Sequence, residues 1–412
     1  MKKFISLLSV FLMLSMVGCG SSQNGSKSGG ESEGEIAFWV YEPQSMDDKT
    51  KLDDLVKVFE DENDVNVKIT YIPKDNFNTK LNAAIAVQKG PDVSYLDQPL
   101  IAKFEEDELL FDITDLLNNS EKASVEDYFS GAFDTNKVDG KVYGLPLSMT
   151  TVALYYNKDL VANPPKNWDE WVSISKDVYV KDQIAAFEGI GGGGWGAWLL
   201  PAFIHSAGGS MVNEDETAVT FGEQPGIDSL NLLVNLLKYS DQSVRESQNA
   251  FGNGLVAFKV SGPWEIDSFK TNFPNLNFGV TLIPAKDSFT SYSNIGGDNL
   301  VVYKDSTNAE SGYELIEFLT NEKNSETMAE ITGNFPININ AAKADKYTSD
   351  EYLSVFMKQM ETAVARPRLT DWLKVNDEVI GTALDEVFVG QEDPAKALKT
   401  ANEKASQILF EK

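Results

Sequence analysis

The sequence predicts an α/β protein with two sheets joined by a hinge, and three observations carry that prediction. The first is the order strand, helix, strand at the start of the globular part: an apolar run Ile36–Tyr41, then Leu52, Leu55, Val56 and Phe59 at helical spacing, then Val65, Val67, Ile69 and Tyr71 alternating. That order opens a βαβ unit. The second is the stretch Val142–Trp168, which passes from one extended run through Ser148-Met149-Thr150-Thr151 into a second, Val152–Tyr156. A strand that leaves one sheet and enters another makes a hinge. The third is the second half of the chain, where the same alternation of strands and amphipathic helices returns, in a chain of 412 residues that is long enough for two or three domains.

The N-terminus has a different character. Lys2-Lys3 precede an apolar run, Phe4–Val17, that is too short for an ordinary membrane span, and Gly18-Cys19 follow. A basic start, an apolar middle and small residues before the cut describe an export signal over residues 1–18. Its end resembles a bacterial lipobox, which makes Cys19 the lipidated first residue of the mature protein. Residues 19–34, rich in Gly and Ser, cannot bury a core and are expected to form a flexible tether. The expected location is extracytoplasmic, anchored by lipid to the outer face of the cell membrane.

Composition excludes several chemistries. Cys19 is the single cysteine and His205 the single histidine, so there is no intrachain disulfide, Cys/His zinc site or Cys-His nucleophile pair. His205 lies in an apolar segment without a nucleophile elbow, which makes it a packing residue rather than part of a triad. The net charge is −28, and loss of Lys2 and Lys3 with the leader takes it to −30. Such a surface repels nucleic acid, phosphates and anionic lipid, and suits a neutral or cationic ligand.

Along the chain, a second helix carries Phe77, Leu81, Ala84 and Ile85 and stops at Lys89-Gly90-Pro91, before an extended run that ends at Leu96-Asp97-Gln98. Asn167 opens a helix bearing Trp168 and Trp171. The run Gly191-Gly192-Gly193-Gly194 precedes an apolar helix. No Lys-Ser/Thr follows it, so a permissive, mobile loop that lets Trp195 and Trp198 face a ligand fits better than a phosphate cradle. A helix with Ile227, Leu230, Val234 and Leu237 on one face comes next. Tyr313–Leu319 reads as another helix, and Asp393 and Pro394 cap and start the last one.

Four segments resemble the maltose-binding-protein-like family of extracellular solute-binding proteins that serve carbohydrate ABC importers. They are Ala153–Leu160 with Asn163–Glu170, Gly90-Pro91-Asp92, Gly254–Trp264 with its Gly-Pro-Trp ending, and Ala365–Trp372, and they occur in family order. The resemblance implies a type II periplasmic-binding-protein-like fold with a hinge and an interlobe ligand cleft. It implies one lobe from 35–148 with 298–348 and another from 152–293 with 352–412, with Ser148–Thr151 and Asn294–Asn299 as crossovers. It further implies a carbohydrate ligand, permease subunits of an ABC transporter as partners, a monomer, no cofactor and no catalysis. Phe258 replaces the family's usual Met, and Thr150 stands where the maltose binder has an acidic sugar-binding residue, which puts maltose itself in doubt.

A sugar presents C–H faces to aromatic rings and hydroxyls to carboxylates, amides and Arg. Of the seven tryptophans, Trp39, Trp168 and Trp171 read as packing residues. The resemblance places Trp195, Trp198, Trp264 and Trp372 in loops or turns at the cleft. Tyr41 and Glu42 end the first strand and Asp97 the third, at carboxyl ends where open α/β sheets bind ligands, although a solvated loop end is an equal reading for Glu42 and Asp97. Thr150, Asp298 and Arg368 complete the candidates, with Arg368 either bonding a hydroxyl or pairing with Asp371. The rival readings are a secreted glycoside hydrolase using Glu42 and Asp97 as an acid/base pair, and the same fold binding a polyamine or peptide.

Overall fold

The computed structural model describes residues 34–43 and 45–411, so Cys19 and the expected signal and tether lie outside the described residues. The strands in chain order are β1 (Glu35–Tyr41), β2 (Asn66–Ile72), β3 (Val93–Asp97), β4 (Lys137–Val138), β5 (Lys141–Val142), β6 (Gly144–Pro146), β7 (Ala153–Asn157), β8 (Ala185–Phe187), β9 (Val256–Ser261), β10 (Phe278–Thr281), β11 (Ser293–Asn294), β12 (Asp298–Val302) and β13 (Ala363–Val364). A five-stranded sheet has the order β2-β1-β3-β12-β6, and a four-stranded one the order β10-β7-β9-β8. The βαβ opening is as the sequence predicts, with β1 parallel to both β2 and β3. Strand β12 is antiparallel to β3 and β6 and sits between them.

Local chemistry sets the element ends. Ser45 caps the helix Met46–Asn63 by accepting from the Asp48 amide at 3.1 Å, and Asp64 ends it in the left-handed region at φ 53°. Leu52, Val56 and Phe59 form its buried stripe, packed on the sheet with Phe38 and Val40. Asn167 caps Trp168–Val178 through the Glu170 amide at 2.9 Å, and Asp393 caps Pro394–Phe410. In the second sheet Phe187 and Phe258 pack edge-on against Trp171, which is fully buried.

Three chain crossings connect the sheets, and they bond to one another. Thr150 and Gly296 exchange backbone hydrogen bonds of 2.9 Å each, and Met149 and Phe335 exchange bonds of 3.2 and 2.9 Å. Ser293 Oγ donates to the Val152 carbonyl at 2.7 Å, and β11 lies parallel to β13. Gly297 has φ +133°, and a Cβ there would strike the Ser148 carbonyl, so only glycine fits. The hydroxyl-rich run and the glycine pair therefore meet in space as adjacent strands of one joint.

Candidate functional site

Between the two sheets lies a cavity of about 460 Å³. Its floor is built at the carboxyl end of the first sheet. Asp97 and Asp298 stand directly opposite each other in the β3–β12 ladder, an arrangement that like charges disfavour unless something compensates. Three groups do so. Arg366, just beyond β13, binds Asp97 with both guanidinium nitrogens, Nη1 donating to Oδ2 at 3.2 Å and Nη2 to Oδ1. The Tyr41 hydroxyl donates to Asp298 Oδ1 at 2.8 Å. Lys74 lies over the Tyr41 ring at 5.0 Å and attracts the Asp298 charge.

Burial, and then the charge of Asp97, raise the Asp298 carboxyl above its ordinary range, while Lys74, Tyr41 and Arg366 act the other way. Burial and the neighbouring Asp298 hold the Tyr41 hydroxyl well above the usual phenol value, so Tyr41 remains a donor. Two lining groups, Arg366 Nε and Thr150 Oγ1, are buried without a hydrogen-bond partner among the described residues. An unpaired buried donor is unfavourable, and each can be satisfied by an oxygen entering the cavity. Asn78, Thr332 and Asn334 add further uncharged polar groups to the lining.

The opposite wall is aromatic. Trp195 and Trp198 are tilted by 32° with ring centroids 5.1 Å apart, and Trp264 meets Trp195 nearly edge-on at 6.2 Å and 69°. Trp195 is 48 % exposed, an unusual state for a large aromatic ring unless something covers it. Trp264 follows Gly262-Pro263 at the end of β9, and its indole folds back so closely over Gly262 that a side chain there would collide with it.

Of the sequence-predicted residues, Tyr41, Asp97, Thr150, Trp195, Trp198, Trp264 and Asp298 line this cavity and three do not. Glu42 is exposed beyond the end of β1 and outside the lining that holds Asp97, so the two do not share the cavity as the hydrolase alternative needs. Arg368 is exposed and outside the lining, its backbone amide donating to Glu216, and Arg366, two residues earlier, holds the place expected of it. Trp372 is 1 % exposed and opens a short helix in the second sheet's core, because the apolar neighbours Val375 and Leu384 enclose it. The glycine run is also corrected. Gly193–His205 is a helix that includes both tryptophans, and side chains on Gly192 and Gly194 would collide with the carboxylates of Asp385 and Asp377. Gly192 and Gly194 permit a close approach, Gly191 and Gly193 supply left-handed backbone at φ +68° and +60°, and two carboxylates lie against the helix start where an anion would bind. Lys74, Asn78, Thr332 and Asn334 went unnoticed in the sequence. Each is an ordinary polar residue in a helix or turn, and only the fold brings them to the cleft.

Two α/β sheets, three adjoining crossings and a polar-aromatic cavity between them define the class: a clamp that encloses a small solute. The model for the bacterial extracellular solute-binding protein family matches residues 54–354, and the chain belongs to that family of binding proteins, which are not enzymes. It is 25 % identical to a putative binding protein of Brucella abortus over 91 % of this chain and 93 % of the relative. It is 26 % identical to the galactooligosaccharide-binding protein of Bacillus subtilis over 97 % and 96 %. Among solved structures, an ABC transporter solute-binding protein of Thermotoga lettingae bound with α-D-tagatose shares the fold at a TM-score of 0.79. It is 24 % identical and covers 91 % of this chain and 100 % of its own.

Proposed function

We propose that the protein binds a neutral mono- or oligosaccharide in the interlobe cleft and presents it to the permease subunits of an ABC importer. The observation that carries the proposal is the opposition of Trp195, Trp198 and Trp264 to a wall of hydroxyl-bonding groups, the arrangement that a ring with apolar faces and a hydroxylated edge requires. The charged groups of the wall, Asp97 and Asp298 against Lys74 and Arg366, balance, which favours a neutral ligand over a polyamine. The names of the Bacillus relative and of the ligand in the Thermotoga structure support the same reading. The ligand contacts are Tyr41, Asp97, Thr150, Trp195, Trp198, Trp264, Asp298 and Arg366.

The division into a lobe of 35–148 with 298–348 and a lobe of 152–293 with 352–412 belongs to this proposal, as does tethering of a monomer to the outer face of the cell membrane through lipidated Cys19. Calorimetric titration against a panel of galacto- and malto-oligosaccharides, simple hexoses and spermidine tests it. Tight binding of one sugar class without turnover is the expected result. Binding of spermidine and of no sugar would sink the carbohydrate reading.

A further inference from the structure

The aromatic wall and the joint between the sheets are attached to each other. Asn294, on the crossing strand β11 and 1 % exposed, donates its side-chain amide to the backbone carbonyl of Trp198. Its Oδ1 has no partner, so this bond is the one its side chain makes among the described residues. The opposite amide orientation would set two oxygens face to face. The contact falls where the helix is weakest, because Pro201 has no N–H to offer the carbonyl of Ala197 in the same turn.

A second contact, independent of the first, joins the same partners through the ring. A Cβ on Gly296 would stand 2.8 Å from Trp198 Cζ2 and 2.9 Å from Thr150 Cγ2, so the indole rests on the glycine that pairs with Thr150 across the joint. Main chain and ring of Trp198 are thus both seated on the second crossing. The next residue of that crossing's ladder, Ser293, is bonded to Val152 of the first.

We infer that Asn294 is a positioning residue: it ties the Trp198 platform to the crossing strands, so that rotation at the joint and reorientation of the aromatic wall occur as one motion. Asn294 does not line the cavity and acts on ligand only through Trp198. The inference rests on the reading of the tryptophans as a ligand platform, and the test separates failure of the two.

Asn294→Asp keeps the shape and removes the donor, and Asn294→Ala removes the side chain. Both would be compared with the native sequence and with Trp198→Phe and Trp264→Ala. The readouts are tryptophan emission without ligand, thermal melts, and affinity and small-angle scattering with galactotriose and maltotriose as probes. The expected result is altered emission that is absent in the Trp198→Phe background, about tenfold weaker binding of whichever probe the native protein takes, and a reduced ligand-induced compaction. Native emission, affinity and compaction in both variants would overturn the inference. So would a lowered melt in both with unchanged affinity of the folded fraction, which marks a structural residue only. Should the native protein take neither probe, the sugar found in the calorimetric panel replaces them; should the panel contain no bound sugar, or Trp264→Ala bind as the native protein does, the platform reading fails, and the emission comparison still decides whether Asn294 sets the Trp198 environment.

Discussion

Replacing Arg366 by Gln would expose how the cleft floor tolerates two aspartates face to face. Arg366 is 10 % and Asp97 26 % exposed at the side chain, so the pair is largely shielded from water. Breaking a fully buried pair by removing one partner costs about 3–5 kcal/mol, and the residual exposure of Asp97 lets solvent recover part of that, leaving roughly 2–3 kcal/mol for Arg366→Gln. Asp97→Asn in the same protein removes the charge left behind. The double variant should then be more stable than the sum of the single changes implies, with a coupling of about 1–2 kcal/mol.

The pH dependence follows from Asp298. Its folded-state carboxyl is raised, chiefly by burial and then by Asp97, so the stability contributed by its proton is full below the unfolded carboxyl value and is lost as pH rises through the folded one. Arg366 is one of the groups that holds this value down. Its loss moves the window upward, and the stability deficit of Arg366→Gln must shrink as the solution is acidified toward the carboxylate range. Urea unfolding of the four proteins across a pH series measures both effects. Additive single changes together with a deficit that is flat in pH would refute the account of a mutually compensating floor.

Trp264→Ala should weaken binding of the identified sugar by about 2–4 kcal/mol in calorimetric titration, with a near-native melt, because the ring is half-buried and faces the cavity; a much lowered melt with intact affinity would make it a core residue. Trp372→Ala should do the reverse, with a loss of about 3–5 kcal/mol in stability. Trp372→Phe should lose far less, since it also deletes an indole N–H that is buried without a partner among the described residues; equal losses for the two in thermal melts would contradict this. Cys19→Ala should move the protein from the membrane fraction to the medium, and retention in the membrane would contradict the lipid anchor.

The fold was legible wherever a pattern repeats. The alternation through Val65–Tyr71 and the stripe Leu52, Val56, Phe59 each depend on periodicity, which local sequence displays in full. The site was legible in part. Asp97, Asp298 and Trp264 stand at strand ends or turns, where position along an element already points at the cleft. Arg366 and Arg368 share one extended segment, and which of them faces Asp97 depends on how that segment passes the sheet, a tertiary fact with no local signature. Trp372 looks like a cleft aromatic until the helix after it folds over the ring. Of the glycines at 191–194, Gly191 and Gly193 serve backbone freedom while Gly192 and Gly194 serve contact, because a missing side chain serves either end and the neighbours that decide, Asp377 and Asp385, lie far along the chain.

The position of β12 bears on how the chain comes to be folded at all. Leu96 pairs with Asn299 and Leu300 with Leu145, so the middle of the first sheet is completed by a strand made long after its neighbours. Until residue 302 is available, β3 and β6 have no shared partner and the core around Leu96, Leu145 and Leu300 stays open. Pairings this distant make folding late and slow. A ribosome-bound or partly translocated fragment that ends before β12 therefore cannot complete the first sheet. For an extracellular binding protein, this topology by itself delays completion of the first sheet until most of the chain has been made.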